Sequence, residues 1–158
     1  MLRYFNVFGK RQDPKGSYAA VIPKWIFSMI KNKKIIINGD GKTTRDFCYI
    51  ENTIQANIFA ALCNKNRCEI YNVASGSQIS LNKLFFYIKK TLVGNNFFYK
   101  KKPIYRQFRK GDVRHSLADL SKIKKDLNYT PNYSFYDGIL KIIPWYIFNR
   151  KLYEKNNK

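Results

Sequence analysis

The stretch LRYFNVFG, residues 2–9, is an apolar run that a glycine ends. A run of this kind predicts a buried strand over Leu2 to Phe8. Asn6 lies near the end of that strand. Because ligands of α/β proteins bind at the carboxyl ends of the strands, its amide is a candidate ligand contact. The alternative is an Asn that only makes a turn, and the residue taken alone favours that alternative.

Beyond this stretch, strand-like and helix-like segments alternate, which is typical of an α/β chain. The spacing of apolar residues predicts helices over 18–31, 51–64, 81–92, 120–127 and 135–150, and strands over 69–74 and 97–100. In the helix 51–64, one face carries Ile54, Ile58, Ala61 and Leu62. No internal repeat or linker rich in Gly or Pro occurs, so residues 1–158 are expected to form one structural unit.

A turn signal, Asn38-Gly39-Asp40-Gly41, follows the β-branched run Ile35 to Ile37 and predicts a hairpin. Arg45 and Asp46 follow this hairpin. The Arg45 guanidinium could bind a phosphate there, with Asp46 orienting it. The alternative is a local surface ion pair worth ~0–1 kcal/mol.

A second Arg and Asp stand three residues apart, as Arg109 and Asp112, on either side of a bend at Gly111. Arg109 could neutralise a phosphate while the Asp112 carboxylate accepts hydrogen bonds from vicinal hydroxyls. A charged surface loop is the alternative.

The chain has 30 Lys and Arg against 10 Asp and Glu, a formal charge of +20. Such a charge is compatible with nucleic-acid binding through counterion release. However, most of the cations are lysine, and Lys, Asn, Ile, Phe and Tyr together share A/T-rich codons. A base-composition bias explains their joint enrichment without a ligand, so nucleic acid ranks below a small-molecule partner.

Composition and cysteine usage narrow the class of protein further. No apolar run reaches the ~18 residues of a membrane span, and no secretory signal pattern follows Met1. Three cysteines and one histidine lack the spacing of metal ligands, so we expect no metal site and a reducing, cytoplasmic setting.

Taken together, these motifs resemble the C-terminal half of the NAD-dependent epimerase/dehydratase family, of the extended short-chain dehydrogenase type. Within the family they are similar to UDP-N-acetylglucosamine 4-epimerases of surface-polysaccharide biosynthesis. The resemblance covers nearly the whole chain and rests on the segments LRYFNVFG (2–9), YAAVIPKW (18–25), INGDG (37–41), TRDFCYI (44–50), GDVRHS (111–116) and PWY (144–146).

The resemblance implies a nucleotide-sugar-binding role for six residues. Asn6 is similar to the Asn that contacts the substrate diphosphate, and Ala20 and Val21 lie where the family packs the uracil ring. Arg45 resembles the phosphate-binding Arg. Arg109 and Asp112 resemble the pair that holds diphosphate and ribose hydroxyls.

The same resemblance shows what this sequence lacks. The family transfers a hydride from the sugar C4 to NAD, which needs a Gly-rich turn for the cofactor and a catalytic Tyr-x-x-x-Lys pair. Neither pattern occurs in this chain. In the family both precede the strand that LRYFNVFG resembles. The resemblance therefore implies a substrate-binding portion truncated at its N-terminus, which lacks most of the Rossmann sheet and any catalytic residue or NAD site of its own.

Three hypotheses remain open from the sequence. The chain is a UDP-sugar-binding half that acts with a separately encoded N-terminal half, a decayed remnant of an epimerase gene without activity, or a basic nucleic-acid-binding protein. A half of this kind would expose apolar surface, so the sequence also predicts poor solubility of the chain alone.

Overall fold

The computed structural model describes residues 1–14, 20–63 and 68–153, in which helices and strands alternate as the sequence predicts. The helices are α1 (Val21–Ile30), α2 (Ile50–Ala61), α3 (Leu81–Gly94), α4 (Ser121–Leu127) and α5 (Phe135–Phe148), followed by a 3-10 turn at Arg150–Tyr153. The strands are β1 (Leu2–Tyr4), β2 (Val7–Phe8), β3 (Ile36–Asn38), β4 (Thr44–Arg45), β5 (Cys48–Tyr49), β6 (Tyr71–Val73), β7 (Ile79–Ser80) and β8 (Ile104–Arg106). No helix in these ranges combines the length and apolar character that a membrane crossing needs.

The strands associate in pairs. β1 lies parallel to β6, β2 to β5 and β3 to β8, whereas β4 and β7 are antiparallel. The run LRYFNVFG forms two strands and not the single one predicted, because Asn6 between them has a φ of +34°. That conformation breaks the extended backbone and lets β1 and β2 pair with different partners.

Two other sequence predictions are wrong. The turn at Asn38–Gly41 forms, but it does not close a hairpin, since β3 pairs with β8 and β4 pairs with β7. Residues 97–100 are not a strand, and the strand that pairs with β3 starts at Ile104. The predicted start of the first helix at 18–19 and the predicted end of the second at 64 lie outside the described residues.

Helix termini follow the chemistry of their flanking residues. The predicted N-cap of α3 is confirmed, because the Ser80 Oγ accepts a hydrogen bond from the Lys83 amide at 3.2 Å. α4 ends at Asn128, which has a φ of +52°, a conformation that Asn tolerates better than most residues.

The larger apolar core lies where α1, α3 and α5 pack together, and β2 and β5 meet α5 at its edge. α5 comes unusually close to these strands at Gly138. A Cβ at that position would lie 2.6 Å from the Phe8 ring and 2.9 Å from the Tyr49 ring. A smaller core joins β6 and α4 to the inner side of α2, and its fully buried members include Val73, Ala74 and Tyr129.

The helix α2 is inverted relative to the usual amphipathic pattern. Its inner face is small and polar, and Asn52 is buried there because its amide oxygen and nitrogen bond the backbone of Tyr133 at 3.0 and 2.8 Å. Its apolar face points outward instead. Ile54 and Ile58 are each 50% exposed, and Leu62, just after the helix, is 75% exposed.

This outward face predicts that the isolated chain associates with itself. The variant I54E/I58E should remain monomeric at concentrations where the natural chain does not. Its unfolding free energy should change by about 0.5 kcal/mol or less, because both positions are half exposed. Sedimentation velocity and urea denaturation measure the two quantities. A natural chain that is monodisperse at high concentration would contradict the prediction.

Candidate functional site

A cavity of about 520 Å³ opens beside the N-terminus of α1, between β3 and the loop that follows β8. The six candidate residues of the sequence analysis all line it: Asn6, Ala20, Val21, Arg45, Arg109 and Asp112. They come from four separate parts of the chain, and the fold brings all of them to one place.

Asn6 lies at the break between β1 and β2. Its Nδ2 donates to the backbone carbonyl of Asp46 at 3.2 Å, and its own carbonyl accepts from the Cys48 amide at 3.3 Å. The side-chain nitrogen carries two hydrogens, so one N–H and the Oδ1 are not committed by this bond. Asn6 therefore forms a turn, as the alternative interpretation predicted, and it keeps side-chain atoms available to a ligand, so its role as a ligand contact stays a prediction.

Ala20 and Val21 form the start of α1. Ala20 is the N-cap in an extended conformation, and among the described residues no side chain caps the helix there. The first backbone N–H groups of α1 have no partner within the helix.

Arg45 is held by a carboxylate other than the one predicted. Its Nη2 lies 2.6 Å from the Asp112 Oδ1, and its Nη1 donates to the Thr44 carbonyl at 2.9 Å. Arg45 is the less exposed partner, at 19% against 39% for Asp112. The bend at Gly111, with a φ of +80°, and a bond from the Asp112 amide to the Arg109 carbonyl bring Asp112 to this position.

The predicted orienting role of Asp46 is wrong, because this carboxylate is fully buried and turned towards the core. Its Oδ1 accepts from the amide and hydroxyl of Ser75 at 2.9 and 2.7 Å. Its Oδ2 accepts from the amides of Gly76 at 3.0 Å and Ala118 at 3.4 Å. Asp46 thus fastens the loop after β6 and the segment before α4 to the strand region that carries Arg45.

Arg109 is paired with Asn38, a residue that the sequence suggested only as part of a turn. With the Asn38 amide oxygen turned towards Arg109, an orientation assigned from the hydrogen-bond pattern, it accepts from Nε at 2.8 Å and from Nη2 at 3.3 Å. Asn38 also lines the cavity. The sequence carried no signal for this contact, since the two residues are distant in the chain.

A second ion pair joins the turn after β3 to the loop after β8. Arg114 Nη2 lies 2.6 Å from the Asp40 Oδ2, and the Arg114 guanidinium stacks 4.9 Å from the centre of the Phe108 ring. The pKa of Asp40 is lowered, first because the Lys42 amide donates to its carboxylate and second because Arg114 does. The turn after β3 and the loop after β8 are therefore joined.

The charge of the cavity favours an anion. Its lining has one carboxylate, Asp112, and five cationic side chains: Lys24, Lys34, Arg45, Arg106 and Arg109. Asp112 is already paired with Arg45. In the described ranges no three His, Cys, Asp or Glu side chains lie close enough together to hold a metal ion.

Comparison with known proteins shows which family this chain resembles. Residues 1–74 match the model of the NAD dependent epimerase/dehydratase family. A UDP-glucuronate 4-epimerase of Thermodesulfobacterium geofontis is 36% identical over 146 residues, which are 92% of this chain and 42% of that protein. The resemblance predicted from the sequence motifs is confirmed.

Solved structures agree with this relationship. The UDP-glucose 4-epimerase of Thermotoga maritima with UDP-glucose superimposes with a TM-score of 0.83 and 34% identity, over 96% of this chain and 46% of that one. For the UDP-N-acetylglucosamine 4-epimerase of Methanobrevibacter ruminantium M1, in complex with UDP-N-acetylmuramic acid, the TM-score is 0.80 and the identity 36%, over 94% and 46% of the two chains. The chain spans less than half the length of the curated relatives it matches.

Asp46 anchors the loop at Ser75–Gly76 and the segment at Ala118 to the strand that carries Arg45. The Asp46→Ala substitution should lower the free energy of unfolding by about 3 kcal/mol, because it leaves buried amides without an acceptor. Urea denaturation measures this loss. Asp119→Ala is the matched control, because the Asp119 carboxylate is exposed and accepts only from Ser121 among the described residues. Asp119→Ala should lower the free energy of unfolding by about 1 kcal/mol. Equal losses for the two variants would contradict the structural role of Asp46.

Proposed function

The chain is related by sequence and fold to the NAD dependent epimerase/dehydratase family, and from this premise we propose that it is the nucleotide-sugar-binding portion of a UDP-N-acetylhexosamine 4-epimerase. The observation that carries the proposal is the single cavity lined by Asn6, Arg45, Arg109 and Asp112. Two guanidinium groups and an amide suit a diphosphate, which carries about two negative charges.

Each lining residue then has a task in binding. Arg45 and Arg109 neutralise the diphosphate, and the Asn6 amide donates to one of its oxygens. The Asp112 Oδ1 is engaged by Arg45, so the second oxygen of Asp112 is the acceptor for ribose hydroxyls. Ala20 and Val21 provide a small apolar surface and open amides for the uracil ring. Together these contacts fix the nucleotide and so orient the sugar.

NAD supplies the hydride chemistry of the family, and there it needs a Gly-rich turn and a catalytic Tyr-x-x-x-Lys pair. Neither pattern occurs in this sequence. The proposed role of this chain is therefore to bind the nucleotide-sugar, and none of its residues is given a part in the hydride transfer.

Nucleotide binding is testable by titration calorimetry with UDP, uridine and ATP. We expect UDP to bind and ATP, a nucleotide of higher charge, to bind much more weakly. Arg109→Ala should weaken UDP binding by about 10- to 100-fold, the effect of losing charge-assisted hydrogen bonds. Arg150→Ala is the matched control, because Arg150 lies outside the cavity and bonds the Ile147 carbonyl.

Other outcomes of this titration would support the competing hypotheses. Steeply salt-dependent RNA binding without a UDP response would favour a nucleic-acid-binding protein. A folded chain that binds none of these ligands would favour an inactive remnant. Equal loss of affinity in Arg109→Ala and Arg150→Ala would mean that UDP binds through general charge attraction.

We also propose that a complementary polypeptide, equivalent to the part of the relatives that this chain does not match, covers the outer face of α2. The support is the outward position of Ile54 and Ile58 together with the free edge of β1, which pairs only with β6 in the described part of the chain. Parallel strands are normally buried on both faces, so a partner layer is expected beside them.

This association is testable in trans. The part of the Methanobrevibacter ruminantium epimerase that this chain does not match would be co-expressed with the full chain. Co-elution and interconversion of UDP-N-acetylglucosamine with its C4 epimer are the expected results. I54E/I58E should abolish co-elution, whereas Phe86→Glu on α3, which changes a 58% exposed residue elsewhere, should not. Failure of the natural pair to co-elute would contradict the proposed partner.

A further inference from the structure

The Asn38 side chain lines the cavity, and the function proposed above gives it no role. Asn38 is the last residue of β3, and its amide oxygen accepts from both Nε and Nη2 of Arg109. An arginine offers two forked edges to an acceptor: Nε with Nη2 on its side, and Nη1 with Nη2 at its end. Asn38 occupies the side edge, which leaves the end edge of Arg109 for a ligand.

The backbone around Asn38 is fixed in the fold. Asn38 is in register with Arg106 on β8, and the Gly39 amide donates to the Arg106 carbonyl at 2.8 Å. The Phe108 ring packs directly on Gly39, where a Cβ would lie 2.2 Å from the Cε1 atom of the ring. Gly39 has a φ of +82°, so no bulkier residue fits this contact without strain.

Arg109, by contrast, has few restraints of its own. It is exposed, lies in the loop after β8, and forms no ion pair in the described part of the structure. An arginine that is free to rotate loses about 0.5–1.5 kcal/mol when a ligand immobilises it. A neutral acceptor can remove part of this cost without cancelling the positive charge, whereas a carboxylate would cancel it.

We propose that Asn38 is a positioning residue that orients Arg109 for the diphosphate of the nucleotide. Arg45 and Arg109 are then held in two different ways. Arg45 is held by the carboxylate of Asp112 and loses part of its net charge. Arg109 is held by a neutral amide, so it keeps its full charge for the ligand. This inference rests on the proposed nucleotide-binding function and assigns the stronger attraction for phosphate to Arg109.

The first test is calorimetry with UDP and uridine on Asn38→Ala. UDP binding should weaken by about two- to twelvefold, the value of the lost preorganisation, and uridine binding should not change. In an Arg109→Ala background the Asn38→Ala substitution should have no further effect. Equal weakening of UDP and uridine, or the same effect with Arg109 absent, would overturn the proposal. Asn95→Ala is the control, since the Asn95 side chain donates to the Thr91 carbonyl near the end of α3, outside the cavity.

A second test needs no ligand. The Nε–H of Arg109 should exchange with solvent more slowly in the natural chain than in Asn38→Ala, as measured by nitrogen-15 NMR. Asn38→Asp should retain the slow exchange, because a carboxylate also accepts from Nε, and should still weaken UDP binding by charge cancellation. Fast exchange in the natural chain would overturn the proposal. If the natural chain binds no UDP at all while exchange is slow, the proposed function fails and the Asn38–Arg109 contact stands.

Discussion

Asp46 has no solvent exposure, and both of its carboxylate oxygens accept hydrogen bonds. Oδ1 accepts from the amide and hydroxyl of Ser75, and Oδ2 accepts from the amides of Gly76 and Ala118. A buried carboxylate is tolerated only when hydrogen bonds replace its lost hydration, so these donors are obligatory partners. The backbone carbonyl of the same residue accepts from Asn6. One residue thereby joins three segments that are far apart in sequence and sets the wall that carries Arg45.

The cavity carries a net positive charge, and Arg45, one of its cations, lies next to Asp46 in the chain. Arg45 is paired with Asp112 and also donates to the Thr44 carbonyl, whereas Arg109 is paired with Asn38 on β3. The general charge of +20 would attract any polyanion and selects none. Under the proposed function, selectivity for a nucleotide diphosphate depends on which guanidinium edges remain open, and Asp112 and Asn38 each occupy one of these edges.

The sequence predicted the candidate site better than the details of the fold. All six residues carried over from the family resemblance line one cavity, although their role in binding remains a prediction. The prediction of a hairpin was wrong because Gly39 and Gly41 indicate a turn but do not specify which strands pair. The single strand over residues 2–8 failed because an apolar run does not show that Asn6 adopts a positive φ. The predicted partner of Arg45 was wrong because the adjacent carboxylate, Asp46, is buried and accepts hydrogen bonds from Ser75, Gly76 and Ala118.

The sequence by itself determined the α/β class and the resemblance to the epimerase/dehydratase family, because these depend on residue types and on local spacing, and the resemblance in turn supplied the six candidate ligand contacts. Only the tertiary structure decided which charges pair, which face of α2 is outward and what holds Arg109. Those outcomes depend on distances between segments that are remote along the chain. Asn38 and Arg109 meet only because β3 and β8 pair in parallel register, and no local pattern specifies that register.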